Sequence, residues 1–308
     1  MSGPSALSTA PELTGGTRTA VLDLAAASSE ADDATSLSED AVLRLGPGHE
    51  GVHHLLRTDG DDVVGYAQLV GGAAGYEGEL LVHPAHRRRG HGTALLAEVE
   101  RLTDRAPVRL WSHGDTAGAV ALAARHGWSR VRELLRLERP GRGLADLEVP
   151  TLPAGTSVRP SVPGADDEAW VAVNAAAFAT HPEQGRWTVD DLRARQAEAW
   201  FDPSLLLLAV QEGAGGEQVV GFCWMKVADG QGELYVLGIA PDHAGAGLGR
   251  ALLVRGLQAV AAHPDSPRLV DLYVDGDNTP AVKLYTRLGF ERAGVDVQYA
   301  SPTPRPTP

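Results

Sequence analysis

Residues 79–93 read ELLVHPAHRRRGHGT, and residues 236–250 read VLGIAPDHAGAGLGR. Each stretch runs from an apolar strand-like segment through a proline into a glycine-rich turn. Each turn then opens a segment with apolar residues at helical spacing. Setting Pro84 on Pro241 also sets Gly90 on Gly247, Gly92 on Gly249 and Leu95-Leu96 on Leu252-Leu253, at an offset of 157. A second block, WSHGDTAGAVALAARHGW (111–128), matches YVDGDNTPAVKLYTRLGF (273–290) at an offset of 162. Two blocks in one order at nearly one offset make the chain a duplicated domain.

Outward from these blocks, the second copy reads as helices at 165–178 and 189–200, the latter capped by Thr188, and strands at 205–211, 218–227 and 233–240. A helix at 248–262, a strand at 269–274, a helix at 279–288 and a final strand at 290–299 follow. The first copy repeats the order: strands 63–70 and 79–83, helix 93–102, strand 108–111, helix 116–126, strand 131–137. Strands and helices alternating in this way predict an α/β (α+β) fold, each copy a mixed central sheet flanked by helices. The expected boundaries are 1–140 for the first domain and 141–155 for a Pro- and Gly-rich linker. The second domain takes 156–300, with a first strand near 156–159, and 301–308 (SPTPRPTP) form a disordered tail.

The 308 residues carry 27 Lys+Arg against 40 Asp+Glu, a net charge of −13. That balance argues against nucleic acid and anionic membranes as partners. One cysteine, Cys223, excludes an internal disulfide and reads as strand packing. The start has no signal-like pattern and no apolar run reaches the ~18 residues of a membrane span, so a cytoplasmic protein is expected. The histidines show no metal-ligand spacing, so no metal is expected.

A glycine-rich turn opening a helix offers unpaired backbone N–H groups to a phosphate. Neither turn carries the GK[ST] of a P-loop, and GAGLGR (245–250) puts Arg250 where a dinucleotide fingerprint needs its last glycine. The copies also differ in chemistry. Tyr285 and Asn278 stand where the first copy has Ala123 and Thr116. The carboxylate does not separate them, because Glu233 falls against Tyr76 ungapped but against Glu79 with a three-residue gap. General acid–base chemistry needs one group to take a proton and another to give one. Only the second copy retains both a carboxylate and a phenol.

VHPAHRRRGHGTALL and IAPDHAGAGLGRALL resemble the acetyl-CoA motif of the GNAT N-acetyltransferase superfamily. Asn278, Ala281, Tyr285, Gly289 and Phe290 resemble its closing N-x-x-A-x-x-x-Y-x-x-x-G-F pattern. HPEQGRW (181–187), AWFDP (199–203) and GFCWMK (221–226) are similar to the tandem-domain branch that acetylates the cysteinyl amine of Cys-GlcN-Ins (desacetylmycothiol) to give mycothiol.

The resemblance implies Glu233 as general base and Tyr285 as general acid. It implies acetyl-CoA held in the second copy by Leu237, Gly238, Ile239, Ala244, Gly245, Ala246, Gly247, Leu248, Gly249 and Arg250, with Asn278, Thr279, Pro280, Ala281, Val282 and Lys283. In the first copy it implies acetyl-CoA on Leu80, Leu81, Val82, Arg87, Arg88, Arg89, Gly90, His91 and Gly92, without catalysis. Ala244 departs from the motif, which has Arg or Gln there, so a weaker hold on the pyrophosphate is expected in the second copy. For the acceptor it implies Glu39, Glu183, Lys226, Glu233 and Tyr273. A monomer is expected. Two other readings stay open: a GNAT acting on a different amine, and a non-catalytic acetyl-CoA-binding regulator.

Overall fold

The computed structural model describes residues 5–72, 75–104, 106–179, 184–213 and 216–302. They fall into two compact units. The first takes the chain up to Leu135, with Asp275–Asp277 and the chain from Gly294 onward; the second takes Arg136–Val274 and Asn278–Ala293. No described helix is long and apolar enough to cross a membrane.

The first half of the chain forms β1 (Ser5–Ala10), α1 (Gly15–Asp32), α2 (Glu39–Leu43), β2 (Val52–Asp59), β3 (Asp62–Gly72), β4 (Gly75–Val82), α3 (His91–Leu102), β5 (Val108–Ser112), α4 (Ala117–His126) and β6 (Ser129–Pro140). The sheet of the first unit runs β1-β2-β3-β4-β5, antiparallel except for the parallel β4–β5 pair. α3 puts His91, Leu95, Leu96 and Val99 on one buried face, at the i, i+4, i+5, i+8 spacing that a sheet-packed helix needs. Leu95, Leu96 and Val99 join Leu55, Leu69 and Trp128 in one core. On the opposite face Val21 and Leu24 of α1 close over Tyr66 and Leu81.

The second half forms β7 (Thr156–Pro160), α5 (Asp167–Ala177), α6 (Val189–Gln196), β8 (Leu206–Gly213), β9 (Gly216–Ala228), β10 (Gln231–Ile239), α7 (Leu248–Ala262), β11 (Leu269–Asp275), α8 (Thr279–Arg287) and β12 (Glu291–Ala300). The second unit orders its strands β11-β10-β9-β8-β7. Leu206, Leu208, Phe222 and Trp224 pack with Trp170 of α5 and Leu192 of α6. α7 buries Leu248, Leu252, Leu253 and Leu257.

α6 starts at the expected cap: Thr188 Oγ1 accepts from Asp191 N–H, and the Asp191 carboxylate accepts from Thr188 N–H. It ends at Gln196, so Trp200 lies beyond the helix expected for 189–200. The segment expected as a linker, 141–155, holds neither helix nor strand and falls within the second unit, where Gln258 Nε2 donates to the Leu147 carbonyl at 2.9 Å. β12 stands where the last strand was expected, but its residues 297–300 pair with β5 of the first unit rather than finishing the second copy. β1, α1, α2 and β2 were not read from the sequence. Residues 303–308 of the expected tail lie outside the described residues.

Candidate active site

Both glycine-rich turns have the same backbone. In the second copy Gly245 and Gly247 sit at φ 81° and 82°; in the first, Arg88 and Gly90 sit at 65° and 88°. Gly247 and Gly90 are the N-caps of α7 and α3, and neither helix start receives a side-chain cap. Their first-turn N–H groups therefore face the turn with the positive end of the helix dipole behind them, which fits a pyrophosphate. Ala244, Ala246, Leu248, Gly249 and Arg250 complete this loop and helix start.

The strands ahead of the turns splay. β10 pairs with β11 only over Gly232–Leu234, with Leu234 opposite Leu272. β4 pairs with β5 only as far as Glu79, opposite Trp111. Leu237, Gly238, Ile239 and their first-copy counterparts Leu80, Leu81, Val82 thus have one backbone edge outside the ladder, as an extended pantetheine arm requires. In the first unit this edge, Arg88, Gly90, His91, Gly92 and Thr116 line a cavity of about 640 Å³. Arg87 lines the same cavity with its charge paired to Asp32. Its guanidinium makes a bidentate pair with Asp32 at 2.6 and 2.7 Å and donates to the Val82 carbonyl.

Strand register settles which residue matches Glu233, and neither sequence alignment was right. Glu233 lies opposite Lys226 on β9 and Asp271 on β11. Glu77 lies opposite Val70 on β3 and Arg109 on β5. Both neighbours make Glu77 the counterpart. The offset changes because β10 carries a bulge: Leu234 faces Met225 and Val236 faces Trp224, leaving Tyr235 as the extra residue, whereas β4 pairs without a shift.

Glu233 Oε2 is 3.8 Å from Lys226 Nζ, both side chains under one-third exposed. Beside them on β11, burial pushes the Asp271 carboxyl above its usual range, and Tyr273 is 39% exposed. Tyr285 lies in α8, 7% exposed, its ring edge-on to Phe290. Burial raises its phenol well above the ordinary value, so it is protonated and available as a donor at neutral pH. Asn278 caps α8, its Oδ1 accepting from Ala281 N–H at 3.2 Å. Thr116 does the same for Ala119 in α4. The Asn/Thr difference between copies is therefore one cap exchanged for another. Thr279, Pro280, Ala281, Val282 and Lys283 form the first turn and a half behind Asn278. Ala123, opposite Tyr285 in the repeat, is ordinary core.

Glu39 opens α2, next to its cap Ser38. Glu183 lies outside the described residues. Cys223 is fully buried and burial pushes its thiol up, as expected of packing.

Sequence reasoning missed a buried network in the first unit. Ser38 donates its N–H and hydroxyl to Glu79, and His113 reaches Glu79 at 3.3 Å and Asp296 at 2.9 Å. Burial alone would lower His113; the two carboxylates win and push it up to about 10. Burial alone would raise Glu79, but its bonds to His113 and Ser38 hold it below the usual range. Among the described residues one group, Asp59, His86 and His91, brings possible metal ligands within 4.8 Å of one another. Arg57 Nε donates to Nδ1 of His91 at 3.3 Å. With Nδ1 accepting, the neutral ring carries its proton on Nε2.

Residues 20–128 and 170–290 match the family model described as Acetyltransferase (GNAT) family. The chain is 68% identical to a mycothiol acetyltransferase of Kineococcus radiotolerans, over 94% of each chain. It is 46% identical to a mycothiol acetyltransferase of Streptomyces coelicolor, over 97% of this chain and 96% of that one. Among solved structures, a tandem GNAT protein from the clavulanic acid biosynthesis pathway superposes with a TM-score of 0.74 at 22% identity. It covers 99% of this chain and 100% of its own, and shows the fold. A GCN5-related N-acetyltransferase from Sphaerobacter thermophilus gives 0.73 at 25% identity, over 96% and 95%.

Proposed function

The chain belongs to the acetyltransferase (GNAT) family, and from that premise we propose that it acetylates the cysteinyl amine of Cys-GlcN-Ins with acetyl-CoA, giving mycothiol and CoA. It is an acetyl-CoA-dependent N-acetyltransferase. The observation that carries the acceptor is the 68% identity to a mycothiol acetyltransferase along nearly the whole of both chains.

In this reading the second copy performs the chemistry. The helix start at Gly247 holds the pyrophosphate, the free edge of Leu237–Gly238–Ile239 aligns the pantetheine arm, and the acetyl carbonyl lies near the bulge. Glu233 takes the ammonium proton, directly or through a water. The amine nitrogen then attacks the thioester carbon, the C–S bond breaks, and Tyr285 gives its proton to the departing sulfur. An α-amine titrates near ~8 and a thiol near ~8.5, so a carboxylate is a weak base for the one and a phenol raised by burial a weak acid for the other. Both transfers run uphill and depend on the groups being positioned as the C–N bond forms and the C–S bond breaks. Lys226, Tyr273, Glu183 and Glu39 are proposed as acceptor contacts. The first copy keeps a cradle with Ala123 at the position of Tyr285, Tyr299 of β12 being the phenol that lines its cavity, and is proposed to bind acetyl-CoA without turning it over. No metal takes part in this scheme, and a monomer suffices for it.

A CoA-release assay with Cys-GlcN-Ins against a panel of other amines tests the reading. Preferred turnover of Cys-GlcN-Ins is expected. Equal or better turnover of glucosamine, an aminoglycoside or a peptide N-terminus overturns the acceptor, and CoA release with none of them overturns the enzyme.

A further inference from the structure

Two of the motifs that set this chain apart, QGRW (184–187) and AWFDP (199–203), contain none of the groups used in the chemistry above. Their aromatic residues converge on the bulge of β10. The Lys226 ammonium lies over the Trp200 ring at 4.7 Å from its centroid and over the Tyr235 ring at 5.5 Å. The two rings are 5.1 Å apart, and each also packs on Trp224. Tyr235 is the residue that the bulge adds, and its hydroxyl accepts from Arg195 Nε at 3.0 Å. Arg195 in turn stacks on Trp187, its guanidinium carbon 3.8 Å from the ring centroid. The ammonium so held is the one 3.8 Å from Glu233.

We propose that Trp200 and Tyr235 are positioning residues that hold the Lys226 ammonium beside Glu233, and that the Trp187–Arg195 stack fixes Tyr235 in that role. A lysine has a flexible four-carbon stem whose rotamer freedom must be lost to fix its ammonium. Two aromatic faces restrict it through attraction of the cation to their π-systems. The first copy shows what the strand does otherwise: it has no bulge, and Val70 stands in the place of Lys226. The proposal rests on Glu233 being the base of the reaction, and it gives the acceptor-side motifs a task, that of placing a positive charge at a fixed point next to that base.

The chain has only two lysines, Lys226 and Lys283, so ¹³C-lysine labelling gives two Cε signals in the full-length protein. One is expected upfield through the ring currents of Trp200 and Tyr235, and Lys226→Met assigns it. Trp200→Leu should return that signal to the position of an unconstrained lysine while the Lys283 signal stays. The thermal midpoint should fall because Trp200 packs on Trp224 and Tyr235, and the spectra are taken below it. Trp200→Phe should restore part of the shift. In steady-state assays Trp200→Leu should raise the acceptor KM about five- to tenfold, leave the acetyl-CoA KM alone, and add nothing in the Lys226→Met background. A Lys226 signal that Trp200→Leu does not move overturns the box. A Trp200→Leu loss of equal size with and without Lys226 overturns its action through the lysine. A parent enzyme that ignores Cys-GlcN-Ins counts against that acceptor alone: the spectral test needs no acceptor, and the kinetic comparison then uses whichever amine the parent acetylates.

Discussion

β4 and β10 are one strand made twice, and they differ by one residue. β10 has the bulge at Tyr235; β4 does not. In β10 the carboxylate ahead of the bulge is half-buried beside Lys226, and the position after it is Val236, in the apolar core. In β4 the equivalent carboxylate, Glu77, pairs loosely with Arg109 at the surface. The position equivalent to Val236 is Glu79, locked under Ser38 and His113. A carboxylate buried among fixed partners is a structural group. One left partly exposed beside a lysine is proposed to exchange a proton. The comparison teaches that the duplicated scaffold kept its glycine-turn backbone twice but set a lysine beside the strand carboxylate, and a tyrosine at the position of Tyr285, once.

The largest effect should come from breaking the structural side. His113→Ala leaves Glu79 and Asp296 buried without their common partner, at a cost of about 3–5 kcal/mol. Thermal unfolding checks this, and the acceptor and acetyl-CoA should still be turned over below the melting range. The folded pKa of His113, about 10, lies above the ~6.5 of an unfolded histidine. Its contribution is thus complete below pH ~6.5 and is lost as pH rises through about 10. The parent should lose stability over that alkaline window, and His113→Asn should lose less. A parent whose midpoint is flat across it would mean that the imidazolium carries no such load.

Next in size, Tyr285→Phe removes the phenol that the first copy replaces with Ala123. A fall in kcat of about 10²-fold or more is expected for one acid–base group, with the midpoint within ~1 kcal/mol because the ring and its contact with Phe290 remain. Ala123→Tyr, its mirror in the first copy, should create no activity.

Lys226→Met should be smaller, about tenfold in acceptor KM with little change in kcat. Binding lost equally in ground and transition states appears in KM.

The smallest effect separates the two cradles. Gly247→Ala forces a φ of 82° on a residue with a Cβ, costing about 1–2 kcal/mol. Calorimetry should show weaker acetyl-CoA binding to one site, together with a raised acetyl-CoA KM. Gly90→Ala should weaken a site that kinetics does not see.

The parts legible in the sequence were those written in local patterns. α7 runs from 248 to 262 as its apolar spacing predicts, and Thr188 caps α6. The turns keep one backbone despite Arg88 standing for Gly245. α1 escaped notice because GGTRTAVLDLAAASSEAD is rich in alanine and serine, with little contrast between its faces. The network around Glu79 was out of reach for a different reason: its partners Ser38 and His113, and the Asp296 that His113 also holds, come from three distant segments, and only the fold brings them together. Glu77 hid behind the bulge, since an alignment counts residues and cannot see that one of them has left the ladder. The change from His113 to Asp275 between repeats was visible, but its meaning depended on burial. Arg87 shows the reverse case, a motif residue whose charge is paired to Asp32.

The most direct test of the account is a pair of substitutions at equivalent strand positions, Glu233→Gln and Glu77→Gln, compared by initial CoA release at saturating acetyl-CoA and Cys-GlcN-Ins near pH 7. The account predicts a kcat lower by about 10²-fold or more for Glu233→Gln, recovering partly at high pH as the amine loses its proton unaided, and a kcat within twofold of the parent for Glu77→Gln. Equal losses in the two variants, or a loss confined to Glu77→Gln, would contradict it.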